Sequence, residues 1–278
     1  MTKTLRIKGT DVGTYVVEPE LDIRLGPRPY LHPVRTLGGV PVTDALCFDH
    51  PWHLGASLSM ADVNGWNLWG GRTFVRDEGY VWRDDHGRIV HDQWLPMGTG
   101  AEAQQAGLRE RLRWEDGDGR LLLAEERRIA AEEAPVGWRL TVEYRLTAPA
   151  SAVGTVVLGS PATNGRTGGA GYGGFFWRAT EGAATAFTAD ERGDVNGSAA
   201  PWVGLTVGGA YTLIFEGLSH ADRWFVRTGE YAGVCAALAF SDPLTIEAGQ
   251  TLSRRVSVLV ADGVLGAGDA AGLVGDGR

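Results

Sequence analysis

The residues able to do chemistry crowd into three short runs near the start of the chain. They read Arg28-Pro29-Tyr30-Leu31-His32-Pro33-Val34-Arg35, Asp49-His50-Pro51-Trp52-His53-Leu54-Gly55 and Val63-Asn64-Gly65-Trp66-Asn67-Leu68-Trp69-Gly70. Four of the six histidines, His32, His50, His53 and His86, fall between Arg28 and Gly87. His50 and His53 stand three apart with a proline between them. Proline's fixed φ and missing N–H predict a loop or a strand end there rather than a helix. On such a loop both imidazoles can converge on a substrate, one as general acid and one as base, because imidazole titrates near neutrality. His32 and Asp49 would assist them. A second reading makes His32, His50 and His53, with Asp49, the ligands of Zn²⁺ or another divalent metal with an open position. In a third, Asp49 caps a turn and the histidines hydrogen-bond to backbone.

Sugars are recognised by flat aromatic faces packed on C–H surfaces, with amides, carboxylates and arginines on the hydroxyls. Trp52, Trp66, Trp69, Trp82, Trp94, Asn64, Asn67 and Asp49 supply that mixture within a short span. The plainer reading of the tryptophans is core. Arg178 and Arg227 each end an aromatic or apolar run, Phe175-Phe176-Trp177-Arg178 and Trp224-Phe225-Val226-Arg227. A guanidinium at a strand end can grip a carboxylate or vicinal hydroxyls with its fork of donors, and Trp224 would pack on the ligand beside it. Tyr172, within the glycine-rich stretch 168–174, can close over a ligand.

The elements that must carry these residues are strands. Trp138, Leu140, Val142, Tyr144 and Leu146 alternate with Arg139, Thr141, Glu143 and Arg145, one dry face and one wet. Tyr211–Phe215 and Leu244–Ala248 repeat the pattern. Asp116-Gly117-Asp118-Gly119, Asp85-His86-Gly87 and Gly208-Gly209 read as hairpin turns, the middle one joining Tyr80–Arg83 to Ile89–Trp94. Helix signals are weak and confined to Ala101–Gly107 and the alanine-rich tail from Gly266. With no linker and no repeat, residues 1–278 predict one all-β domain, a large antiparallel β-sandwich.

The chain has 278 residues, 44% of them hydrophobic, and 41 glycines, about twice the usual share. Its net charge of −8 argues against nucleic acid or an anionic membrane surface as partner. No apolar run approaches a membrane span, and no hydrophobic segment follows the basic N-terminus, so a cytoplasmic protein is expected. Cys47 and Cys235 lie far apart in apolar stretches, as buried free thiols of a reducing compartment do. A homo-oligomer stays open. Residues 168–171 lack the Gly-Lys-Ser/Thr ending of a phosphate loop, no Gly-x-Ser-x-Gly elbow appears, and no dinucleotide-binding unit is visible.

Taken together, the Arg-Pro-Tyr-Leu-His-Pro, Asp-His-Pro-x-His and Val-Asn-Gly-x-Asn-x-Trp-Gly runs resemble the bacterial DUF6807 family. Gly171-Tyr172-Gly173-Gly174-Phe175 with Arg178, Pro201-Trp202 and Arg223-Trp224-Phe225-Val226-Arg227 extend the likeness over nearly the whole chain. Trp52 and Leu54 depart from the family's usual Asp-His-Pro-His-His-Arg-Gly, and Ser219-His220-Ala221-Asp222 stands where Pro-x-Asn is commoner. The family carries the label PmoA, a methane oxygenase, which would imply a metal-dependent oxygenase or hydrolase. A membrane methane monooxygenase subunit would need several long apolar spans. The resemblance otherwise implies a β-sandwich akin to sugar mutarotases, with a His-rich pocket on a concave face. It also implies a role in carbohydrate catabolism. The density of titratable and aromatic residues in one region then predicts an enzyme acting on a small carbohydrate or glycoside by hydrolysis, elimination or isomerisation, with no obligatory cofactor. The alternative from another class is a non-catalytic sugar-binding protein or a dehydrogenase partner.

Overall fold

Alternation in the sequence becomes alternation about a sheet plane. In the strand Trp138–Thr147, Trp138, Leu140, Val142, Tyr144 and Leu146 are buried while Arg145 is exposed and Arg139 and Glu143 half-buried. The computed structural model describes residues 1–98, 106–150, 154–190, 194–219 and 221–275. Two antiparallel sheets dominate it. One has seven strands, running edge to edge Thr2–Ile7, Thr10–Val16, Tyr30–Val34, Ala56–Ser59, Gly174–Arg178, Gly233–Ala237 and Arg223–Arg227. The other has eight: Ala184–Phe187, Trp202–Val207, Tyr211–Glu216, Thr251–Asp262, Trp138–Thr147, Leu121–Glu133, Ala106–Glu115 and Arg88–Trp94. Their inner faces share one apolar cluster that includes Tyr15, Leu58, Trp114, Trp138, Trp177, Phe215 and Trp224. The chain is an all-β antiparallel sandwich.

The Gly208-Gly209 and 116–119 turns join neighbouring strands as expected. The 85–87 segment does not. Gly79–Val81 pairs with Thr73–Val75, and Arg88–Trp94 pairs with Ala106–Glu115. Asp85, His86 and Gly87 are engaged elsewhere: Asn67 N–H donates to Asp85 O at 2.7 Å and Gly87 N–H to Asn67 O at 3.0 Å. The buried His86 donates from Nε2 to Gly71 O at 2.6 Å. The tail forms a helix at Ala267–Ala271. Of the other helical candidate, residues 101–105 lie outside those described, and Ala106 and Gly107 open a strand. Cys47 and Cys235 are both buried and free. Among the described residues no helix is long and apolar enough to cross a membrane.

The core also holds a charged network. Arg127 lies against Glu125 through two bonds of 2.7 and 2.9 Å, and its Nη1 donates to the Tyr15 hydroxyl at 2.9 Å. Tyr15 donates in turn to Glu110, which also holds His91 Nδ1 at 2.7 Å; Trp114 Nε1 donates to Glu125 at 2.7 Å. Each polar atom has a partner, so the network ties the seven-stranded sheet, through Tyr15, to the eight-stranded one. Removing one member strands a buried charge. Glu125→Ala is expected to cost about 3–5 kcal/mol in urea denaturation. Arg6→Ala, which breaks an exposed pair with Asp11, costs less than about 1 kcal/mol. A Glu125→Ala loss as small as that of Arg6→Ala would show that the network contributes little.

Candidate functional site

The outer face of the seven-stranded sheet is apolar too, and loops cover it. By strand alternation Phe176, Cys235 and Phe225 lie side by side across three strands on this face. They form a second small cluster with Trp69 and Ala237, against which Trp52, Tyr172 and Tyr231 pack. In the next row, Arg178 and Arg227 both pair with Gly233. A methyl group at Gly233 would come within 3.1 Å of the Phe176 and Tyr231 rings. Its hydrogen therefore leaves room for the Tyr231 ring, whose centre lies 4.6 Å from the Arg178 guanidinium carbon.

The Asp49–His53 segment closes this layer. His53 N–H donates to His50 O at 2.9 Å, so residues 50–53 form a tight turn with Pro51 second in it, where its φ is already suitable. The turn stacks the two imidazoles, with centroids 4.6 Å apart and planes 11° from parallel. Trp52 is held by a close approach: at Gly71 (φ 74°), a Cβ would stand 2.5 Å from the indole. Beneath, the fully buried Arg28 donates to Trp52 O at 2.9 Å, Trp69 O at 3.0 Å, Gly26 O at 2.8 Å and Ser57 Oγ at 3.0 Å. Burial lowers its pKa to about 9.

Different hydrogen-bond partners give the two histidines different roles. Arg178 Nη1 lies 3.1 Å from His53 Nδ1, and a guanidinium can only donate, so that nitrogen accepts and the proton sits on Nε2. Burial first, then the charges of His50, Arg178 and Arg28, push the His53 pKa well below its usual value. His53 is a neutral hydrogen-bond donor. His50 instead turns Nδ1 to Asp49 Oδ2 at 2.8 Å, which leaves Nε2 for a proton to be taken or given. Asp49 also receives Arg178 Nη2 at 3.0 Å on both oxygens. Burial acts to raise its pKa, but the bonds from His50 and Arg178 outweigh it and hold the carboxyl low.

These groups wall a hollow of about 470 Å³, within the roughly 300–1,000 Å³ usual for small-molecule sites. Of the candidate residues, His50, His53, Asp49, Tyr172 and Arg227 line it, and Arg178 sits behind Asp49 and His53. The others lie elsewhere. His32 is half-buried on its strand, its Nδ1 bonded at 3.1 Å to Thr43 Oγ1, which also accepts the Val34 N–H. The three-histidine metal set therefore does not assemble, and among the described residues no group of three or more His, Cys, Asp or Glu is placed to hold a metal ion. Asn64 sits in an exposed turn at φ 51°, clamped to Val157 N at 2.8 Å and Thr155 O at 3.3 Å. Trp66 packs against the main core. Trp224 lies wholly within that core, its Nε1 donating to Ala200 O at 2.8 Å, because its strand turns Phe225 outward and Trp224 inward.

Asn67 acts at one remove. It is buried, accepts Gly70 N–H at 2.9 Å and donates to Thr73 Oγ1 at 3.0 Å, shaping the loop that presents Arg72. Of the remaining tryptophans, Trp52, Trp69 and Trp82 line the hollow, whereas Trp94 packs tilted against His91, 4.4 Å between centroids. Residue patterns alone pass over Arg72, Tyr80, Arg166, Glu230 and Tyr231, which also line it. The glycine flanks of Tyr231, Gly229-Glu230-Tyr231-Ala232-Gly233, are the one signal that marks a turn with chemistry on it.

Several solved structures match this chain at low identity and with TM-scores below 0.5. The Slr1438 protein from Synechocystis sp. PCC 6803 matches over 94% of this chain and 96% of its own, with 11% identity and a TM-score of 0.45. A mutant heparan sulfate lyase HepC from Pedobacter heparinus matches over 95% of this chain and 35% of its own, with 10% identity and a TM-score of 0.41. The α-galactosidase from Lactobacillus brevis matches over 94% and 39%, with 10% identity and a TM-score of 0.44. The chain thus spans little more than a third of these two enzymes. No curated protein matches it by sequence. The family described as "Family of unknown function (DUF6807)" matches over residues 2–275, and the chain belongs to that family.

Proposed function

We propose that the chain is a carbohydrate-active enzyme in which His50 moves a proton at a sugar bound in the hollow. The observation that carries this is the stacked histidine pair. Asp49 presents one member as a base, Arg178 holds the other as a neutral donor, and both face a space walled by Trp52, Trp69 and Tyr231. Aromatic walls suit the C–H faces of a sugar ring, and the donors suit its hydroxyls.

Among hydrolysis, elimination and isomerisation, the geometry favours the last two. Glycoside hydrolysis ordinarily uses two carboxyl groups flanking the scissile bond. Here the lining carboxylates are Asp49, committed to Arg178 and His50, and the exposed Glu230. Elimination and isomerisation both begin when a base removes a proton from carbon. His50 Nε2 would take that proton, and the electron pair would move onto a neighbouring carbonyl or carboxyl oxygen. His53 Nε2–H and the Tyr231 hydroxyl would stabilise the resulting oxyanion. Burial raises the Tyr231 pKa, so the phenol stays protonated. In isomerisation the proton returns to the former carbonyl carbon while the hydroxyl proton of the neighbouring carbon passes to the oxyanion, so the carbonyl moves by one carbon. In elimination the oxyanion's electron pair re-forms the C=O and a C=C bond forms. The leaving group at the next carbon departs with its bonding pair and takes the proton from His50.

Incubation with a panel of monosaccharides and glycosides in D₂O, followed by proton NMR, tests this. At least one sugar should exchange a carbon-bound proton or be converted, and His50→Ala should slow that at least about a hundredfold. Trp52→Ala should raise KM more than it lowers kcat. Saturable binding with neither exchange nor conversion would mark a binding protein instead.

Keeping His53 neutral also has a stability signature. Its pKa is low when folded and about 6.5 when unfolded, so below that pH the unfolded chain binds the extra proton. Stability is then full above about pH 6.5 and falls as pH drops, by up to about 1.4 kcal/mol per unit for this group. His32, lowered by its own burial, adds in the same direction. Urea denaturation between pH 7.5 and 5.5 should show the slope, and His53→Gln should flatten it in part. An unchanged slope would mean that His53 is charged in the folded protein.

A further inference from the structure

The hollow contains more positive charge than the proton chemistry uses. Arg72, Arg166 and Arg227 all line it, and among the described residues none of the three makes an ion pair. Their other contacts leave most donors unspent. Arg166 gives one N–H to the Tyr80 hydroxyl and lies 4.8 Å from that ring's centre. Arg227 gives one each to Val226 O and Gly169 O, at 2.9 and 3.2 Å, and lies 4.2 Å from the centre of the Phe225 ring. Arg72 makes no hydrogen bond within the described residues and stands 6.0 Å from the centre of the Trp82 ring. Against them stand only Glu230, exposed at the rim, and Asp49, already matched by Arg178.

This local excess sits in a chain whose net charge is −8. Three guanidinium groups sharing one cavity repel each other, and aromatic faces offset only part of that repulsion. What such an arrangement lacks is an anion, and a guanidinium's planar fork fits an oxyanion with two parallel bonds. Resting on the carbohydrate reading above, we propose that the ligand is an acidic sugar, one whose ring bears a carboxylate, sulfate or phosphate held by Arg72, Arg166 and Arg227. The aromatic wall takes the ring and the arginines take the charge. The oxyanion anchor then fixes which ring carbon faces His50.

Calorimetric titration with sugars that share a ring and differ in charge tests this. The probes are methyl glucoside, glucuronate, glucose 6-sulfate and glucose 6-phosphate, with the corresponding galactose set. At least one charged probe should bind ten times more tightly than its neutral counterpart or better, and the advantage should shrink between 50 and 500 mM NaCl. Comparing the three charged probes identifies the group recognised. Arg72→Gln and Arg166→Gln should each erode the preference, and the double variant should abolish it. Arg72→Gln removes a side chain that bonds to nothing described, so it remains informative if Arg166→Gln fails to fold. Neutral sugars binding as tightly as charged ones would overturn the acidic-sugar assignment and leave the carbohydrate reading standing. A preference that survives both arginine changes would overturn it as well. Binding of none of the probes would overturn both.

Discussion

A buried guanidinium with no carboxylate beside it is the constraint on which the site depends. Arg28 is fully buried, makes no ion pair among the described residues, and spends four N–H bonds on three backbone carbonyls and one serine. Desolvation lowers its pKa only to about 9, so it remains charged at neutral pH. The carbonyl dipoles take the place of a counter-ion. Two of those carbonyls belong to Trp52 and Trp69, which come from separate loops. One cation therefore holds both aromatic walls against the sheet. Trp52 in turn lies within the 50–53 turn that stacks the histidines, so their placement traces back to the same group.

The arginines around the hollow divide by what their neighbours leave them to do. Arg28 and Arg178 are both buried and their bonds are largely committed to the protein. Arg178 spends its charge on Asp49 and on the acceptor nitrogen of His53, so a single side chain touches His53 and the carboxylate that holds His50. Arg72, Arg166 and Arg227 rest on aromatic rings, which supply a soft counter-field without using up the donors. The same residue type thus serves as scaffold where carbonyls or carboxylates surround it and stays available where rings do. Exposure follows the division: Arg72 is exposed and Arg166 and Arg227 half-buried.

The sheets were legible from period-two alternation because each strand has one face in the main core, and that burial enforces the pattern. The 50–53 turn was legible because proline restricts its own backbone. Which face of a strand meets the site was not legible. In Trp224-Phe225-Val226-Arg227 every residue but the arginine is buried or nearly so, since loops cover the outer face as completely as the other sheet covers the inner. With both faces apolar, alternation vanishes and Trp224 looks as eligible as Phe225. The 85–87 segment misled for a related reason. Its Asp-His-Gly composition suits a tight turn, but a long-range bond from His86 to Gly71 outweighed that local preference. Arg72, Arg166 and Tyr231 come from irregular loops, where sequence carries no periodic signal and only the fold brings them together.

Two layers of burial with different duties also determine how substitutions here should be read. The inner layer is continuous and carries most of the apolar burial. The outer layer is small, and its members Trp69 and Phe225 are at once the floor of the hollow and a minor core. A change at any of them alters stability and ligand contact together, so a lost activity would not reveal which was lost. Residues that line the hollow while standing mostly in solvent escape that ambiguity. Arg72, Glu230 and Trp82 are exposed, and Phe48 stands wholly in solvent at the rim. An apolar ring left at the mouth of a charged cavity gains nothing for folding, which makes it the kind of surface a bound ring would cover. The chemistry of the site is therefore best separated from its scaffold at the rim, where contacts with ligand are not also contacts that hold the protein together.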